Sequence, residues 1–132
     1  MGDLDGDGVA DLLVTAPTHS GCTAAVDGVG CGSVANAGAL FAFRGGPSLS
    51  STTSPLTSSA ASLRVFGSAA SQRAGGLETS EGSNLAIGDV DGDGIGDAIF
   101  ASADLGGSAP NRSGVAVLYG SPSLFAYSAP TS

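Results

Sequence analysis

Basic residues are scarce in this sequence of 132 residues, which contains no lysine. Its four positively charged residues are all arginines, against 12 acidic residues, so the formal net charge is −8. Proteins that bind nucleic acids usually display basic patches, because many of their contacts are to phosphates. We therefore expect no nucleic-acid partner.

Long apolar runs and recognisable catalytic motifs are also missing. No stretch approaches the roughly 18 consecutive apolar residues of a membrane-spanning helix. No Gly-x-Ser-x-Gly sequence surrounds a serine, and no glycine-rich dinucleotide pattern or Walker pattern occurs. The sequence thus predicts no membrane span. Outside the acidic segments described below, it contains no recognisable pair of catalytic residues, so we expect no enzyme.

Cysteine and histidine are limited to Cys22, Cys31 and His19. The two cysteines form no Cys-x-x-Cys pair and no second histidine is available, which argues against a zinc site. The cysteines either form a disulfide across a short loop, which we favour, or remain two free thiols. A disulfide would indicate an oxidising compartment.

Glycine, by contrast, is abundant at 22 residues, and the apolar segments are short. Segments of about four to six apolar residues between turn-forming residues are typical of strands. The sequence therefore predicts an all-β fold, with surface loops at 18–37, 45–62 and 67–82. The predicted strands are Leu12 to Ala16, Ala39 to Arg44, Leu63 to Phe66, Asn84 to Gly88, Ala98 to Ala101 and Val115 to Tyr119. The aromatic residues expected to pack between sheets are Phe41, Phe43, Phe66, Phe100 and Tyr119.

An imperfect repeat organises the chain. The segment GDLDGDGVADLLVTAP (2–17) is matched by GDVDGDGIGDAIFASA (88–103), and the two aspartate motifs start 86 residues apart, at Asp3 and Asp89. Each copy is followed by a second apolar segment, GALFAFRGGPSL (38–49) and GVAVLYGSPSL (114–124). This spacing is too long for a compact solenoid but fits sheets of about four strands with insertions.

Both acidic segments fit Asp-x-Asp-Gly-Asp-Gly-x-x-Asp, which predicts a calcium site in each. Alternate carboxylates in a tight turn can converge, glycine permits the sharp backbone path, and calcium prefers six to eight oxygen ligands. Transition metals would favour histidine or cysteine, and neither segment has one. The predicted ligands are the carboxylates at positions 1, 3, 5 and 9 and the backbone carbonyl at position 7: Asp3, Asp5, Asp7, Val9 and Asp11, then Asp89, Asp91, Asp93, Ile95 and Asp97.

The EF-hand is the main alternative for these segments, because positions 1, 3, 5 and 6 fit its template. Position 12, however, should be a bidentate glutamate, and it is Val14 in one copy and Phe100 in the other. The residues that follow are also too few and too apolar for the exiting helix. We therefore reject the EF-hand for both copies.

The chain resembles the FG-GAP repeats of integrin α-subunits and of many bacterial secreted proteins. Phe66-Gly67, the loop from Asp89 to Asp97 and the strand from Gly114 to Tyr119 follow the order of that family, and Thr15-Ala16-Pro17 stands for its Gly-Ala-Pro. The sequence Ala101-Ser102-Ala103 departs from Gly-Ala-Pro in the second copy. The resemblance implies calcium held in hairpins between neighbouring strands of a β-propeller blade.

The resemblance further implies a partial β-propeller of about one and a half to two blades of antiparallel strands. We expect a first incomplete repeat at about 1–66, a second repeat at about 67–124 and a tail at 125–132. Because the first copy begins inside its own loop, we expect the chain to be a fragment of a longer propeller.

The expected function is a non-catalytic, calcium-binding module for adhesion or recognition, with an unidentified protein or glycan ligand. Its expected location is extracellular, at the cell surface or in the periplasm. The alternative is a structural propeller part of a secreted enzyme whose active site lies outside this chain.

Overall fold

The computed structural model of the protein describes residues 1–22, 33–51, 54–67, 70–76, 84–102 and 114–126. Within these ranges the fold is all-β, as predicted, and helix is limited to one turn of α-helix at Pro47–Ser50 and one 3₁₀ turn at Ser58–Ala60. Cys31, and with it the predicted disulfide to Cys22, lies outside the described residues. The strands are β1 (Leu12–Ala16), β2 (Gly21–Cys22), β3 (Ser33–Val34), β4 (Ala39–Phe43), β5 (Leu63–Phe66), β6 (Leu85–Gly88), β7 (Asp97–Ser102) and β8 (Gly114–Leu118).

All six predicted strands are present. Strands β1 and β5 have the predicted ends, and the other four differ from the prediction by one residue at one or both ends. The short antiparallel pair of β2 and β3 was not predicted, because its glycine- and alanine-rich surroundings lack the apolar run that identifies a strand.

Two antiparallel three-stranded sheets form the body of the fold. The first sheet has the order β1-β4-β5 and the second has the order β6-β7-β8. In the first sheet Leu12 lies opposite Phe43, and in the second Ala98 lies opposite Leu118. Since Leu12 and Ala98 each follow position 9 of an aspartate segment, β1 with β4 is the structural equivalent of β7 with β8.

The equivalence extends to the strand before each aspartate segment. In the second sheet, Gly88 of β6 lies opposite Asp97 of β7. In the first, an isolated bridge between Gly2 and Asp11 takes the same place. The first sheet therefore contains one residue of this strand, whereas the second contains all of β6.

The two sheets pack face to face around one apolar cluster. Leu13 and Leu40 of the first sheet join Ala98 and Phe100 of the second, and Leu4, from the first aspartate segment, is fully buried among them. A second cluster lies on the outer face of the first sheet, where Leu49 of the helical turn packs against the strand residues. The buried members of this second cluster are Ala39, Phe41, Phe43 and Ala61.

Two sequence-based expectations are wrong. Of the five aromatic residues expected between sheets, Phe100 alone lies there, because Phe41, Phe43 and Phe66 pack on the outer face of the first sheet. Tyr119 is 57% exposed, since it follows the edge strand β8 and no described residue covers that face. The segment 67–82 is not entirely a surface loop, since Ala74 is buried and its backbone bridges Gly38. The close approach depends on Gly38, where a Cβ atom would overlap the backbone of Ala74.

No helix in the described part of the chain is long and apolar enough to cross a membrane.

Candidate metal centres

The two aspartate segments form two loops of the same shape. We call Asp3–Asp11 the first loop and Asp89–Asp97 the second loop. In the first loop Gly6 and Gly8 have φ values of 73° and 83°, and their counterparts in the second loop have values of 82° and 88°. These left-handed conformations are costly for residues with a side chain. The glycines at positions 4 and 6 of the motif are therefore required by the path of the backbone.

The aspartate at position 1 closes each loop. Asp3 accepts hydrogen bonds from the backbone N–H groups of Gly6 at 2.7 Å and of Gly8 at 2.8 Å. Asp89 accepts the equivalent bonds from Gly92 at 2.6 Å and from Gly94 at 2.9 Å. In both loops, the carboxylate at position 1 of the motif thus orders the turn.

The aspartates at positions 3 and 5 make equally similar local contacts. In the second loop, Oδ1 of Asp91 accepts the N–H of Asp93 at 3.2 Å, and Oδ1 of Asp93 accepts the N–H of Ile95 at 2.8 Å. The first loop repeats these two bonds at 3.2 Å and 2.8 Å. In each of these carboxylates, Oδ2 remains for a partner outside the loop backbone.

The aspartate at position 9 connects each loop to the backbone just after a neighbouring strand of the same sheet, β4 for the first loop and β8 for the second. Asp11 is fully buried, and its two oxygens accept the N–H groups of Leu4 and Gly45, each at 2.8 Å. Asp97 is also fully buried and accepts the N–H groups of Val90 and Gly120, each at 2.8 Å. This aspartate therefore has a structural role in addition to any role as a ligand.

Backbone contact at the same place explains why Gly45 and Gly120 are glycines. A Cβ atom at Gly45 would overlap the backbone carbonyl oxygen of Ala10, and one at Gly120 would overlap that of Gly96. Backbone atoms cannot move aside as the end of a flexible side chain can.

Substitution of Gly45 by alanine is accordingly expected to lower the free energy of unfolding by about 2 kcal/mol, the usual range for an overpacked site. Gly88→Ala is the matched control, because a Cβ atom there meets no atom within 4 Å. Urea denaturation followed by circular dichroism measures both. Equal stability of the two variants would contradict the proposed close approach.

Hydrogen bonding also sets the acidity of Asp97. The backbone N–H of Val90, followed by that of Gly120, lowers the pKa of the Asp97 carboxyl below its ordinary value, against the opposing effect of burial. Since the folded pKa is depressed, the ionised form contributes stability above the unfolded pKa of about 3.9. That contribution is lost as the pH falls from there through the folded pKa.

We therefore expect the urea midpoint of the metal-free protein to fall as the pH is lowered below about 4, the unfolded pKa of an aspartate. The Asp97→Asn variant should be less stable at neutral pH and should show a shallower fall. Parallel pH profiles for the two proteins would show that Asp97 does not supply this dependence.

The chemistry and spacing of the donor atoms suit a hard cation. Asp3, Asp5 and Asp11 each offer a carboxylate oxygen, and these atoms all lie within 4.8 Å of one another. Ligands at 2.3–2.6 Å on opposite sides of one calcium ion are separated by about 5 Å. The second loop brings together the equivalent group of Asp89, Asp91 and Asp97. Both groups can therefore hold a metal ion.

The remaining predicted ligands lie outside these groups of three. Asp7 and Asp93 are at the exposed side of their loops, with the local bonds described above. The side chain of Val9 lies toward Gly45, and that of Ile95 lies toward Gly120. This placement agrees with an apolar side chain at position 7 that is directed away from the carboxylates, and its carbonyl remains a predicted ligand.

Arg44 distinguishes the first loop from the second. Its Nε lies 2.7 Å from Oδ2 of Asp5, and its Nη2 lies 3.0 Å from Oδ2 of Asp7. The negative charge of Asp5 is the largest cause of the raised pKa of Arg44, so the guanidinium remains a cation. Its structural equivalent beside the second loop is Tyr119, which follows β8 as Arg44 follows β4.

Residues 1–42 match the FG-GAP repeat family. This segment contains the whole first loop, β1 and most of β4, so the resemblance read from the motifs is confirmed there. FG-GAP repeats are typical of β-propeller-type modules, and two stacked antiparallel sheets are consistent with part of one. The chain matches no curated protein and no solved structure.

The backbone of the FG-GAP segment contacts both the second loop and the residues that follow β8. The N–H of Gly96 donates to the carbonyl of Asp3 at 2.8 Å, and the N–H of Ser121 donates to the carbonyl of Leu4 at 3.0 Å. These contacts bury the first loop more than the second: Leu4 is fully buried, whereas its counterpart Val90 is 52% exposed.

Sequence reasoning missed Arg44, Gly45 and Gly120 as parts of the sites. They lie 33 or 34 residues after Asp11 and 23 residues after Asp97, beyond any local pattern. One signal was present, because Gly-x-Pro-Ser-Leu follows the second apolar segment in both copies of the repeat. The shared glycine at that place marks the strand end that position 9 contacts.

Proposed function

We propose that this chain is a non-catalytic, calcium-binding module that acts outside the cytoplasm in adhesion or recognition. One calcium ion is bound in each loop by the five residues of that loop predicted above as ligands. The observation that carries this proposal is the duplication of one loop geometry, in which three carboxylate oxygens lie within 4.8 Å of one another at both places.

Charge supports a divalent cation in these loops. Each loop places four carboxylates within nine residues, and like charges at such distances repel strongly. Backbone N–H groups offset part of this repulsion, and a divalent ion would offset most of the rest. Magnesium is less suitable than calcium, because it retains several waters and requires near-ideal octahedral geometry.

The role proposed for calcium is structural. The aspartate at position 1 already orders the turn of each loop, and the aspartate at position 9 already connects the loop to the backbone after β4 or β8. An ion bound by the same carboxylates would hold these connections together, which suits a surface that must keep its shape for a partner. FG-GAP repeats are typically extracellular, and extracellular calcium modules bind with dissociation constants of about 10⁻⁴–10⁻³ M.

The larger protein is proposed to be a β-propeller that extends beyond these two sheets, with a protein or a glycan as its partner. The exposed face of β8 supports this extension. Val115 is 64% exposed there, whereas its structural equivalent in the first sheet, Leu40, is 1% exposed under the second sheet. A further sheet stacked in the same way would cover Val115.

Calcium titration by calorimetry tests the proposal. The unaltered chain should bind about two calcium ions with dissociation constants on the order of 10⁻⁴–10⁻³ M. The double variant Asp3→Asn/Asp5→Asn and the double variant Asp89→Asn/Asp91→Asn should each bind one. Asparagine retains one of the two oxygens that accept the loop N–H groups, so each turn keeps part of its closing hydrogen bonds. If a variant with all four substitutions takes up as much calcium as the unaltered chain, the proposal is wrong.

A further inference from the structure

A cationic side chain from outside the first loop lies against its carboxylates. Asp5 is only 5% exposed, and a buried carboxylate requires a partner for its charge. Arg44 supplies that partner with the 2.7 Å contact from Nε to Oδ2. The same guanidinium extends to Oδ2 of Asp7, so one side chain connects positions 3 and 5 of the motif.

The second loop has no such partner among the described residues. Its position-3 aspartate, Asp91, is exposed, and within the described ranges neither Asp91 nor Asp93 is in an ion pair. Tyr119, at the place of Arg44, carries no charge that could neutralise them. Four carboxylates and one guanidinium give the first loop a formal charge of −3, and four carboxylates alone give the second −4.

A calcium ion in the first loop would share carboxylates with the guanidinium. Asp5 belongs to the group of three that can hold the ion, and it is also the closest contact of Arg44. Two cations beside one carboxylate repel each other, so each is bound less strongly by the carboxylate when the other is present. Calcium binding must therefore either displace Arg44 or proceed against its charge.

We propose that Arg44 is a built-in competitor of calcium at the first loop, which occupies Asp5 and Asp7 in the metal-free protein and lowers the calcium affinity of that loop. This inference rests on the proposed calcium binding. It makes the two sites unequal, since within the described ranges only the first loop must exchange an internal cation, Arg44, for calcium. Arg44 is 52% exposed, so the displaced side chain has room to move into solvent.

The test isolates the first loop with Asp89→Asn/Asp91→Asn and then adds Arg44→Gln. Calorimetric titration should show that Arg44→Gln raises the calcium affinity of the first loop by roughly two- to fivefold, a modest factor because a half-exposed ion pair is screened by water. Arg64→Gln is the matched control. It removes the same charge from an exposed position on β5, and it should leave the affinity unchanged.

The reciprocal background gives the second control. When the first loop is disabled by Asp3→Asn/Asp5→Asn, Arg44→Gln should not alter binding at the second loop. An unchanged or weakened affinity of the isolated first loop in Arg44→Gln would overturn the inference; weakening would mean that Arg44 positions Asp5 for the ion. Absence of calcium binding in every protein would instead refute the proposed function itself.

A spectroscopic measurement reports on Arg44 without any substitution of it. In ¹⁵N-resolved NMR, the Nε–H resonance of Arg44 should shift and exchange faster with water as calcium fills the first loop, with the same midpoint as the calorimetric titration. If this resonance stays unchanged while the first loop fills, Arg44 is not displaced and the inference is wrong.

Discussion

Substitution of Asp11 by alanine is expected to lower the free energy of unfolding of the metal-free protein by about 3 kcal/mol. The variant loses both acceptors for the N–H groups of Leu4 and Gly45, which lie 2.8 Å from the carboxylate. A buried donor without a partner costs about 1–3 kcal/mol. The expected loss of stability therefore comes from two unpaired N–H groups and does not depend on calcium.

Two further variants make this prediction specific. Asp11→Asn keeps one oxygen acceptor and should have an intermediate stability. Asp7→Ala removes an exposed aspartate from the same loop, with its solvent-screened contact to Arg44 at 3.0 Å, and should cost at most about 1 kcal/mol. Urea denaturation in the presence of a chelator measures all three. If Asp11→Ala is no less stable than Asp7→Ala, position 9 does not fix the loop to the strand.

Calcium is expected to raise the melting temperature by about 15 °C at a concentration of about 10 mM. If each site has a dissociation constant of about 10⁻⁴ M, each bound ion stabilises the folded state by about 2.7 kcal/mol. Two sites then contribute about 5 kcal/mol, and a shift of this order follows for a chain of this size. The sequence contains no tryptophan, so calorimetry or circular dichroism is the suitable measurement.

The control for this shift is the variant with asparagine at Asp3, Asp5, Asp89 and Asp91. Its melting temperature should be almost the same in calcium and in chelator at matched ionic strength. The shift in the unaltered chain should also exceed that produced by magnesium at the same concentration. If the unaltered chain melts at the same temperature with calcium and with chelator, the ions do not hold the loops together.

The sequence predicts the local parts of this structure well. The nine-residue spacing of the aspartates identifies both loops, because the carboxylates order the turn through contacts within five residues, such as that from Asp3 to Gly8. The ends of β1 and β5 are predicted correctly for a similar reason, since apolar runs bounded by proline or glycine are local signals.

The parts that depend on contacts distant in sequence could not be predicted in the same way. The bond from Gly45 to Asp11 spans 34 residues, and the ion pair of Arg44 with Asp5 spans a similar separation. The exposure of Tyr119 depends on which strand lies at the edge of the sheet, which the alternation of residues does not specify. Comparison of the two repeats is the only sequence signal that indicates such contacts.

The most direct test of the account is anomalous diffraction from crystals grown with calcium. If calcium binds as proposed, one anomalous peak is expected in each loop, within about 2.3–2.6 Å of carboxylate oxygens. The carboxylates expected around the two peaks are those of Asp3, Asp5 and Asp11, and those of Asp89, Asp91 and Asp97. Loops that contain only water in millimolar calcium, with no anomalous signal at either position, would contradict it.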